Sequence, residues 1–162
     1  MPEIICNTSP LQYLHQLRAL DTLHALAARV TVPFAVANEV TVGKALGIDL
    51  PDLNALDWIT LRRPSSIAAL PLVGELGPGE TEVLMLALES PGALVILDDW
   101  LARWVAQTIG IKLTGTLGIL RDAKKAGLIP AVGPLLDRLQ ELGFRLAPQT
   151  RIVVLRQAGE WI

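Results

Sequence analysis

The stretch LVILDDWLARWVAQTIGIKLTGTLGILRDAKKA, residues 94–126, contains the pattern that decides the fold of this chain. An apolar strand is predicted at Leu94–Leu97, followed by a helix at Asp99–Ile109. The pattern then repeats, with a strand at Ile111–Leu113 and a helix at Thr116–Ala126. Strands that alternate with helices at this spacing predict a parallel sheet covered by helices on both faces.

The same alternation extends in both directions along the chain. Further strands are predicted at Glu3–Asn7, Val30–Val32 and Trp58–Leu61, and further helices at Ser9–Leu20, Asp21–Ala28, Pro33–Leu46, Glu80–Glu89 and Pro134–Leu142. In the tail, Ile-Val-Val at 152–154 favours a strand, but the flanking Pro148 and Gly159 favour a helix, which we predict. We therefore expect an α/β fold in which a parallel sheet of about five strands is sandwiched between helices. We expect residues 1–162 to form a single domain, with a core at about 3–143 and a helical tail at 144–162.

The composition limits the class of protein. Of the 162 residues, 51% are apolar and the mean hydropathy is +0.45, yet no run approaches the roughly 18 uncharged residues of a membrane helix. The excess of apolar residues predicts a homodimer or partner interface. The first six residues lack the basic and apolar segments of a signal peptide, so we expect a cytoplasmic protein. Cys6 is the only cysteine, which excludes an internal disulfide, and because it lies in a predicted central strand we expect a small buried apolar residue.

Four polar side chains stand out because each ends or interrupts an apolar stretch. They are Asn7, Glu39, Glu80 and Asp99. Buried carboxylates are rare unless they are paired or bound to a metal, and the carboxyl ends of parallel strands meet at one edge of a sheet. We therefore expect these four residues to share one pocket. Oxygen ligands of this kind suit Mg²⁺ or Mn²⁺ rather than zinc or copper.

Structural roles are the alternatives for these residues. Glu80 and Asp99 lie in predicted first helical turns, where acidic residues are favoured as caps and by the helix dipole. Glu39 could pair with an arginine, and Asp99 with Arg103 four residues later. The phase of its helix predicts that Glu82 is solvated, unlike Glu80.

A substrate phosphate could contact three further side chains near the predicted strand ends. Arg103 could bind it directly, and Thr114 and Thr116 flank a glycine before a predicted helix N-terminus. A simple helix cap is the alternative for the two threonines. The net charge of −2 argues against a protein coated in basic residues, although it leaves a local basic patch open. No dinucleotide fingerprint or Walker-type loop is present, and His15 and His24 have no evident triad partners.

Five segments, in this order, resemble the PIN-domain family, and specifically an uncharacterised branch related to VapC-type toxin ribonucleases. They are Asn-Thr-Ser-Pro-Leu at 7–11, Val-Pro-Phe-Ala-Val-Ala-Asn-Glu-Val at 32–40, Gly-Pro-Gly-Glu-Thr-Glu at 77–82, Leu-Asp-Asp-Trp-Leu-Ala-Arg at 97–103 and Thr-Gly-Thr-Leu-Gly-Ile-Leu at 114–120. The resemblance implies a helix–sheet–helix sandwich, a metal-dependent endoribonuclease site and a toxin–antitoxin partnership. It also matches Glu39, Glu80 and Asp99 to family acids, with Asp98 as the alternate for Asp99.

Asn7 departs from the family pattern, which usually has Asp at this position. An amide oxygen can bind a hard cation, but it carries no negative charge and cannot act as a base.

Two hypotheses from different classes follow. In the first, the protein is a Mg²⁺- or Mn²⁺-dependent ribonuclease with an antitoxin partner. Its catalytic residues are Glu39, Glu80 and Asp99, its metal ligands also include Asn7 and Asp98, and its substrate-binding residues are Arg103, Thr114 and Thr116. In the second, it is a PIN-like binding or regulatory protein whose nuclease activity is weakened or lost because of Asn7. Another phosphotransfer or phosphatase domain is disfavoured, because Asn7 leaves no nucleophilic aspartate after the first strand.

Overall fold

A computed structural model of the protein describes residues 2–65 and 75–160. This part contains five strands: β1 (Ile4–Cys6), β2 (Val30–Pro33), β3 (Ile59–Arg62), β4 (Leu94–Ile96) and β5 (Lys112–Thr114). Its helices are α1 (Thr8–Gln16), α2 (Leu20–Ala27), α3 (Phe34–Ala45), α4 (Pro78–Glu89), α5 (Trp100–Thr108), α6 (Thr116–Lys125), α7 (Gly133–Glu141) and α8 (Pro148–Gln157), with a short 3₁₀ helix at Leu53–Ala55. The Pro- and Gly-rich composition of residues 62–79 predicts a connector, and part of this segment lies outside the described residues.

The five strands form one parallel sheet in the order β3-β2-β1-β4-β5. Ile5 of β1 lies opposite Thr31 of β2 on one side and Val95 of β4 on the other. The chain therefore winds outward from β1 to β3 and then returns across the sheet to β4. This reversal of strand order opens a crevice outside the carboxyl ends of β1 and β4, where α/β proteins form their sites.

The central strands are buried on both faces. Ile5, Cys6, Val95 and Ile96 have no exposed surface, and helices flank the sheet. Apolar residues in succession suit such a strand because both of its faces meet helices. The prediction of an α/β parallel sheet between helices is confirmed, and so is the prediction that Cys6 is a buried, unpaired cysteine.

The tail is helical, as predicted. Val154 and Ala158 belong to the same hydrophobic cluster as the sheet. Glu160 follows α8 and accepts hydrogen bonds from the backbone N–H groups of Val132 (2.6 Å) and Gly133 (3.0 Å) at the start of α7. The tail therefore contributes both to the core and to the cap of a neighbouring helix. Among the described residues, none of the helices is long and apolar enough to cross a membrane.

Two local expectations differ from the structure. The second helix begins at Leu20 rather than at the predicted Asp21, so Asp21 lies in its first turn and the N-cap is Ala19, which makes no side-chain cap bond. Glu82 is half-buried rather than solvated, and its Oε1 accepts a hydrogen bond from the backbone N–H of Ala35 at 2.9 Å. The helical phase that assigned Glu82 to solvent cannot reveal that the N-terminus of α3 packs beside α4.

Candidate active site

The two strands at the centre of the crevice end in polar residues. Asn7 directly follows β1, and Asp98 lies two residues beyond β4. The backbone N–H of Asn7 donates to the carbonyl of Ile96 at 3.1 Å, which continues the pairing of β1 and β4 to the sheet edge. Leu97 in turn donates to the carbonyl of Thr114 at 2.9 Å and ties the end of β5 to the same edge. Three neighbouring strands thus deliver Asn7, Asp98 and the Thr114–Thr116 turn to one place.

Asn7 is the most unusual residue of this edge. Only 3% of it is exposed, and its Oδ1 is buried without a hydrogen-bond partner among the described residues. Leaving a buried acceptor unsatisfied costs about 1–3 kcal/mol. A buried oxygen without a hydrogen-bond donor is available as a ligand for a cation.

Glu39 lies next to this oxygen. A Cβ atom built on Gly79 would lie 3.0 Å from Asn7 Oδ1 and 2.6 Å from Glu39 Oε1, so both oxygens surround one point that only a glycine leaves free. Glu39 is half-buried and is held by Thr8 Oγ1, which donates to its Oε1 at 2.5 Å, and by Gly79 N, which donates to its Oε2 at 3.1 Å. A carboxylate offers about four acceptor positions, so Glu39 keeps capacity for a cation.

The two adjacent aspartates after β4 have different environments. Asp98 is half-buried and accepts hydrogen bonds from Thr116 N (2.8 Å), Thr116 Oγ1 (2.7 Å) and Ser9 Oγ (3.0 Å). Asp99 is exposed and is the N-cap of α5, where its Oδ2 accepts from Ala102 N at 2.9 Å. Asp98 is therefore tied to the helix that follows Asn7, whereas Asp99 has the structural role that the sequence left open. Asp98, rather than Asp99, is thus hydrogen-bonded to the segments that follow β1 and β5.

Glu80 is not linked to this group by hydrogen bonds. It is half-buried in the first turn of α4, with its carboxylate beside Gly77. No hydrogen bond joins it to Asn7, Glu39 or Asp98. Within residues 2–65 and 75–160, no three Asp, Glu, His or Cys side chains are grouped closely enough to hold a metal ion. The structure brings together the amide oxygen of Asn7 and the carboxylate of Glu39 at Gly79. Asp98 follows β4, the strand next to β1.

The predicted substrate-binding residues are also at this edge, but they are partly engaged. Arg103 donates through Nη1 to the carbonyl of Leu97 at 2.7 Å, instead of pairing with Asp99. It thereby holds the backbone directly before Asp98. Thr116 is fully buried, and its hydroxyl donates to Asp98. Thr114 is half-buried and lines an open cavity next to Asp98.

Three supporting residues were missed by the sequence reasoning: Thr8, Ser9 and Gly79. The two hydroxyls directly follow Asn7 in Asn-Thr-Ser, and a pair of hydroxyls after a strand end is a usable signal. The role of Gly79 has no such local signal, because the close approach of Glu39 comes from α3, forty residues earlier in the chain.

The oxygens at this edge are of the kind that a hard divalent cation takes as ligands. Asn7, Glu39 and Asp98 supply only oxygen, and the buried oxygen of Asn7 has no hydrogen-bond donor within residues 2–65 and 75–160. Oxygen-only sets of this kind suit Mg²⁺ or Mn²⁺.

Comparison with known proteins agrees with the fold. No curated protein matches the chain at a significant level. A family model described as a PIN domain matches residues 3–160, nearly the whole chain. PIN domains are associated with nuclease activity and generally use divalent metals. The chain therefore belongs to the PIN-domain family.

Proposed function

We propose that the protein is a Mg²⁺- or Mn²⁺-dependent endoribonuclease. The observation that carries this proposal is the buried Oδ1 of Asn7, which has no hydrogen-bond partner in the described part of the chain and lies beside Glu39 Oε1 at the point that Gly79 leaves free. A divalent cation held here would supply charge stabilisation to the phosphodiester and promote attack by water. Asn7, Glu39 and Asp98 would hold the cation.

The surrounding residues position these ligands. Ser9 and Thr116 donate to Asp98 and fix the orientation of its carboxylate. Arg103 acts through the carbonyl of Leu97, and Thr8 orients Glu39. Removing a supporting hydrogen bond of this kind typically lowers metal affinity or activity by roughly 10–100-fold.

Two acids of the sequence hypothesis keep a place in the proposal. Glu80 directly follows Gly79 and is proposed as a residue at the rim of the site. Asp99 is the alternative to Asp98 as a cation ligand, and the substitutions described below distinguish the two residues. For the biological setting we propose a toxin–antitoxin pair, in which RNA is the substrate and an antitoxin protein is the partner.

The amide at position 7 favours a second candidate function. Asn7 brings no negative charge to the site, so a PIN-like binding or regulatory protein with weakened nuclease activity is the alternative. Cleavage of single-stranded RNA distinguishes the two candidates, because only the nuclease cuts RNA when Mn²⁺ is added and stops when the metal is chelated.

The test uses isosteric substitutions in the purified protein. We expect Glu39→Gln and Asp98→Asn to lower the Mn²⁺-dependent cleavage rate by about 100-fold or more, because the loss of a charged ligand should exceed the roughly 10–100-fold effect of losing a supporting hydrogen bond. We expect Glu80→Gln to lower the rate by less. Asp99→Asn should retain the rate, because Asn caps a helix as well as Asp does.

The matched control is Asp57→Asn, an exposed aspartate before β3 at the opposite edge of the sheet. RNA that stays intact with Mn²⁺ and wild-type protein would favour the regulatory alternative. Loss of cleavage in Asp99→Asn but not in Asp98→Asn would reverse the assignment of the two aspartates.

A further inference from the structure

A second feature adjoins the candidate active site. An open cavity of about 350 Å³ lies between the β5–α6 turn, the first turns of α6 and the segment that leads into α8. Asp98 belongs to its lining, so the cavity opens at the same sheet edge as Asn7 and Glu39. The rest of the lining includes Arg103, Thr114, Arg121 and Arg145.

The charge of this cavity is unlike that of the whole chain. Three arginines and one carboxylate line it, in a protein whose net charge is −2. The carboxylate of Asp98 already accepts three hydrogen bonds from Ser9 and Thr116. Guanidinium groups repel one another, so three of them around open space favour an anion between them.

The arginines differ in how firmly they are held. Arg103 donates to Leu97 O, and Arg121 donates through Nε to Asp122 (3.0 Å) and through Nη1 to Gln157 (3.0 Å). Arg145 is exposed and has no hydrogen bond or ion pair within the described part of the chain. The cavity thus combines two arginine side chains that are held by hydrogen bonds with a third, Arg145, that can move toward a ligand.

Two glycines keep the cavity open. A Cβ on Gly115 would lie 2.7 Å from Arg103 Nη1 and 2.9 Å from Asp98 Oδ1. A Cβ on Gly118 would collide with Thr114 Oγ1. Neither glycine has a positive φ, so space rather than backbone conformation explains the need for glycine. In the first turn of α6, the N–H of Thr116 already donates to Asp98 at 2.8 Å, whereas the N–H groups of Leu117 and Gly118 have no acceptor within the helix and can meet a phosphate.

We propose that this cavity binds a backbone phosphate of the RNA beside the phosphate that is cut, and that Arg121 and Arg145 contact it. The inference rests on the proposed function for the choice of RNA. Phosphate suits the cavity because guanidinium groups bind it through paired, charge-assisted hydrogen bonds. Asp98 belongs both to the proposed cation site and to the lining of the cavity. The two sites are therefore continuous, so a single RNA strand can pass from one to the other.

Binding of RNA without catalysis tests the proposal. The probe is a fluorescent single-stranded RNA of about twelve nucleotides, which exceeds the site size of many single-strand binding domains. Its anisotropy is measured with EDTA present, between about 50 and 200 mM salt. We expect Arg145→Gln to weaken binding about tenfold, as loss of one charge-assisted contact does. The slope of log K against log salt should become shallower by about 0.7, the value for one phosphate contact on a single strand.

Two variants serve as controls. Arg138→Gln removes the same charge from an exposed position on α7 outside the cavity and should leave both the affinity and the slope unchanged. Arg145→Lys keeps the charge and should restore the slope. Mn²⁺ binding, measured by calorimetry, should be the same in all three variants and in the wild type, since none changes Asn7, Glu39 or Asp98.

The outcomes separate this proposal from the proposed function. RNA affinity that is equal in Arg145→Gln and wild type, while wild type still cuts RNA with Mn²⁺, overturns the phosphate subsite and leaves the nuclease intact. RNA that binds through Arg145 but is never cut supports the subsite and overturns the nuclease. Binding of adenosine monophosphate through Arg145, with no binding of RNA, overturns the RNA assignment and identifies a free-nucleotide site.

Discussion

At the scale of single residues, the proposed site depends on two positions that carry no charge. Asn7 supplies a buried oxygen that has no donor among the described residues, and Gly79 supplies the space next to it. Asn7 and Glu39 can approach one another closely because only one of the two is anionic. An aspartate at position 7 would place two carboxylates around the same point, and such pairs repel unless a cation or a proton lies between them.

The first prediction concerns Asn7→Asp. We expect it to tighten Mn²⁺ binding about tenfold or more, because affinity for hard cations rises with the number of charged ligands. We also expect the metal-free protein to lose on the order of 2 kcal/mol of stability, because the buried carboxylate lacks a partner. Calorimetric titration and thermal melts with and without Mn²⁺ measure the two effects. Asn38→Asp, at an exposed position on α3, is the control, and unchanged Mn²⁺ affinity in Asn7→Asp would show that residue 7 is not a ligand.

The second prediction separates binding from stability at Gly79. Gly79→Ala should displace the Glu39 carboxylate, because the new Cβ would lie 2.6 Å from its Oε1, and Mn²⁺ binding should weaken by about tenfold or more. Stability should fall only modestly, because the nearest obstacle is the end of the Glu39 side chain and Ala is favoured over Gly in helices by about 1 kcal/mol, which offsets part of the cost of the 3.0 Å approach to Asn7 Oδ1.

Gly133→Ala is a closely matched control for this change. Gly133 also lies in a first helical turn and also donates its N–H to a glutamate, Glu160, but a Cβ there meets only ordinary contacts of 3.5 Å or more. Its Mn²⁺ affinity should equal that of the wild type. Equal Mn²⁺ affinity in Gly79→Ala would contradict a cation position beside Glu39.

At the scale of elements, three of the helices that lack a side-chain cap of their own are capped by glutamates from elsewhere in the chain. Their N-cap residues are Pro33, Gly77 and Val132, and none of these side chains contains a hydrogen-bond acceptor. Glutamates from other elements bind the exposed N–H groups instead: Glu82 for α3, Glu39 for α4 and Glu160 for α7. These bonds join the helices to one another, and in the case of Glu39 they join helix capping to the candidate site.

The third prediction concerns the cap of α7. Burial raises the pKa of Glu160, but the N–H groups of Val132 and Gly133 and the Lys124 ammonium together outweigh it and hold the pKa below its ordinary value of 4.5. Glu160 therefore stabilises the fold above pH 4.5, and this contribution is lost as the pH falls through the lower pKa of the folded state.

We expect Glu160→Gln to lower the free energy of unfolding by about 1 kcal/mol at neutral pH, as expected for a lost helix cap. The difference from the wild type should shrink when urea denaturation is repeated below pH 4.5. Glu141→Gln, an exposed glutamate of α7, should show no such difference at either pH. A difference that grows toward acid pH would contradict the depressed pKa.

At the scale of the whole molecule, apolar residues exceed what the core encloses. The core cluster runs from Ile5 to Ala158, yet Leu46 is 76% exposed, and Val42 and Ile48 beside it are 50% and 42% exposed. Trp100 and Trp104 add a second exposed apolar face on α5. Contiguous exposed apolar residues are typical of surfaces that another protein covers.

The fourth prediction is a homodimer that uses the Val42–Ile48 surface. Light scattering should show a mass that approaches the dimer as the concentration rises. Leu46→Lys should raise the dissociation constant about 10- to 100-fold, because covering an exposed leucine contributes about 1.5–3 kcal/mol. Leu128→Lys, at another exposed leucine, should leave dimerisation unchanged. A wild-type protein that stays monomeric at high concentration and without a partner would contradict this prediction.

The sequence alone determined the alternation of strands and helices, the parallel sheet and the arrival of Asn7 and Asp98 at its carboxyl edge. These features depend on local patterns, because apolar runs and polar strand ends lie close together in the chain. Only the tertiary structure distinguished Asp98 from Asp99, because two adjacent residues at a strand–helix junction point in different directions, and Thr116 and Ser9 lie beside just one of them. The capping role of Glu82 likewise became visible only in the structure, since its partner Ala35 lies 47 residues away and sequence periodicity contains no information on such pairs.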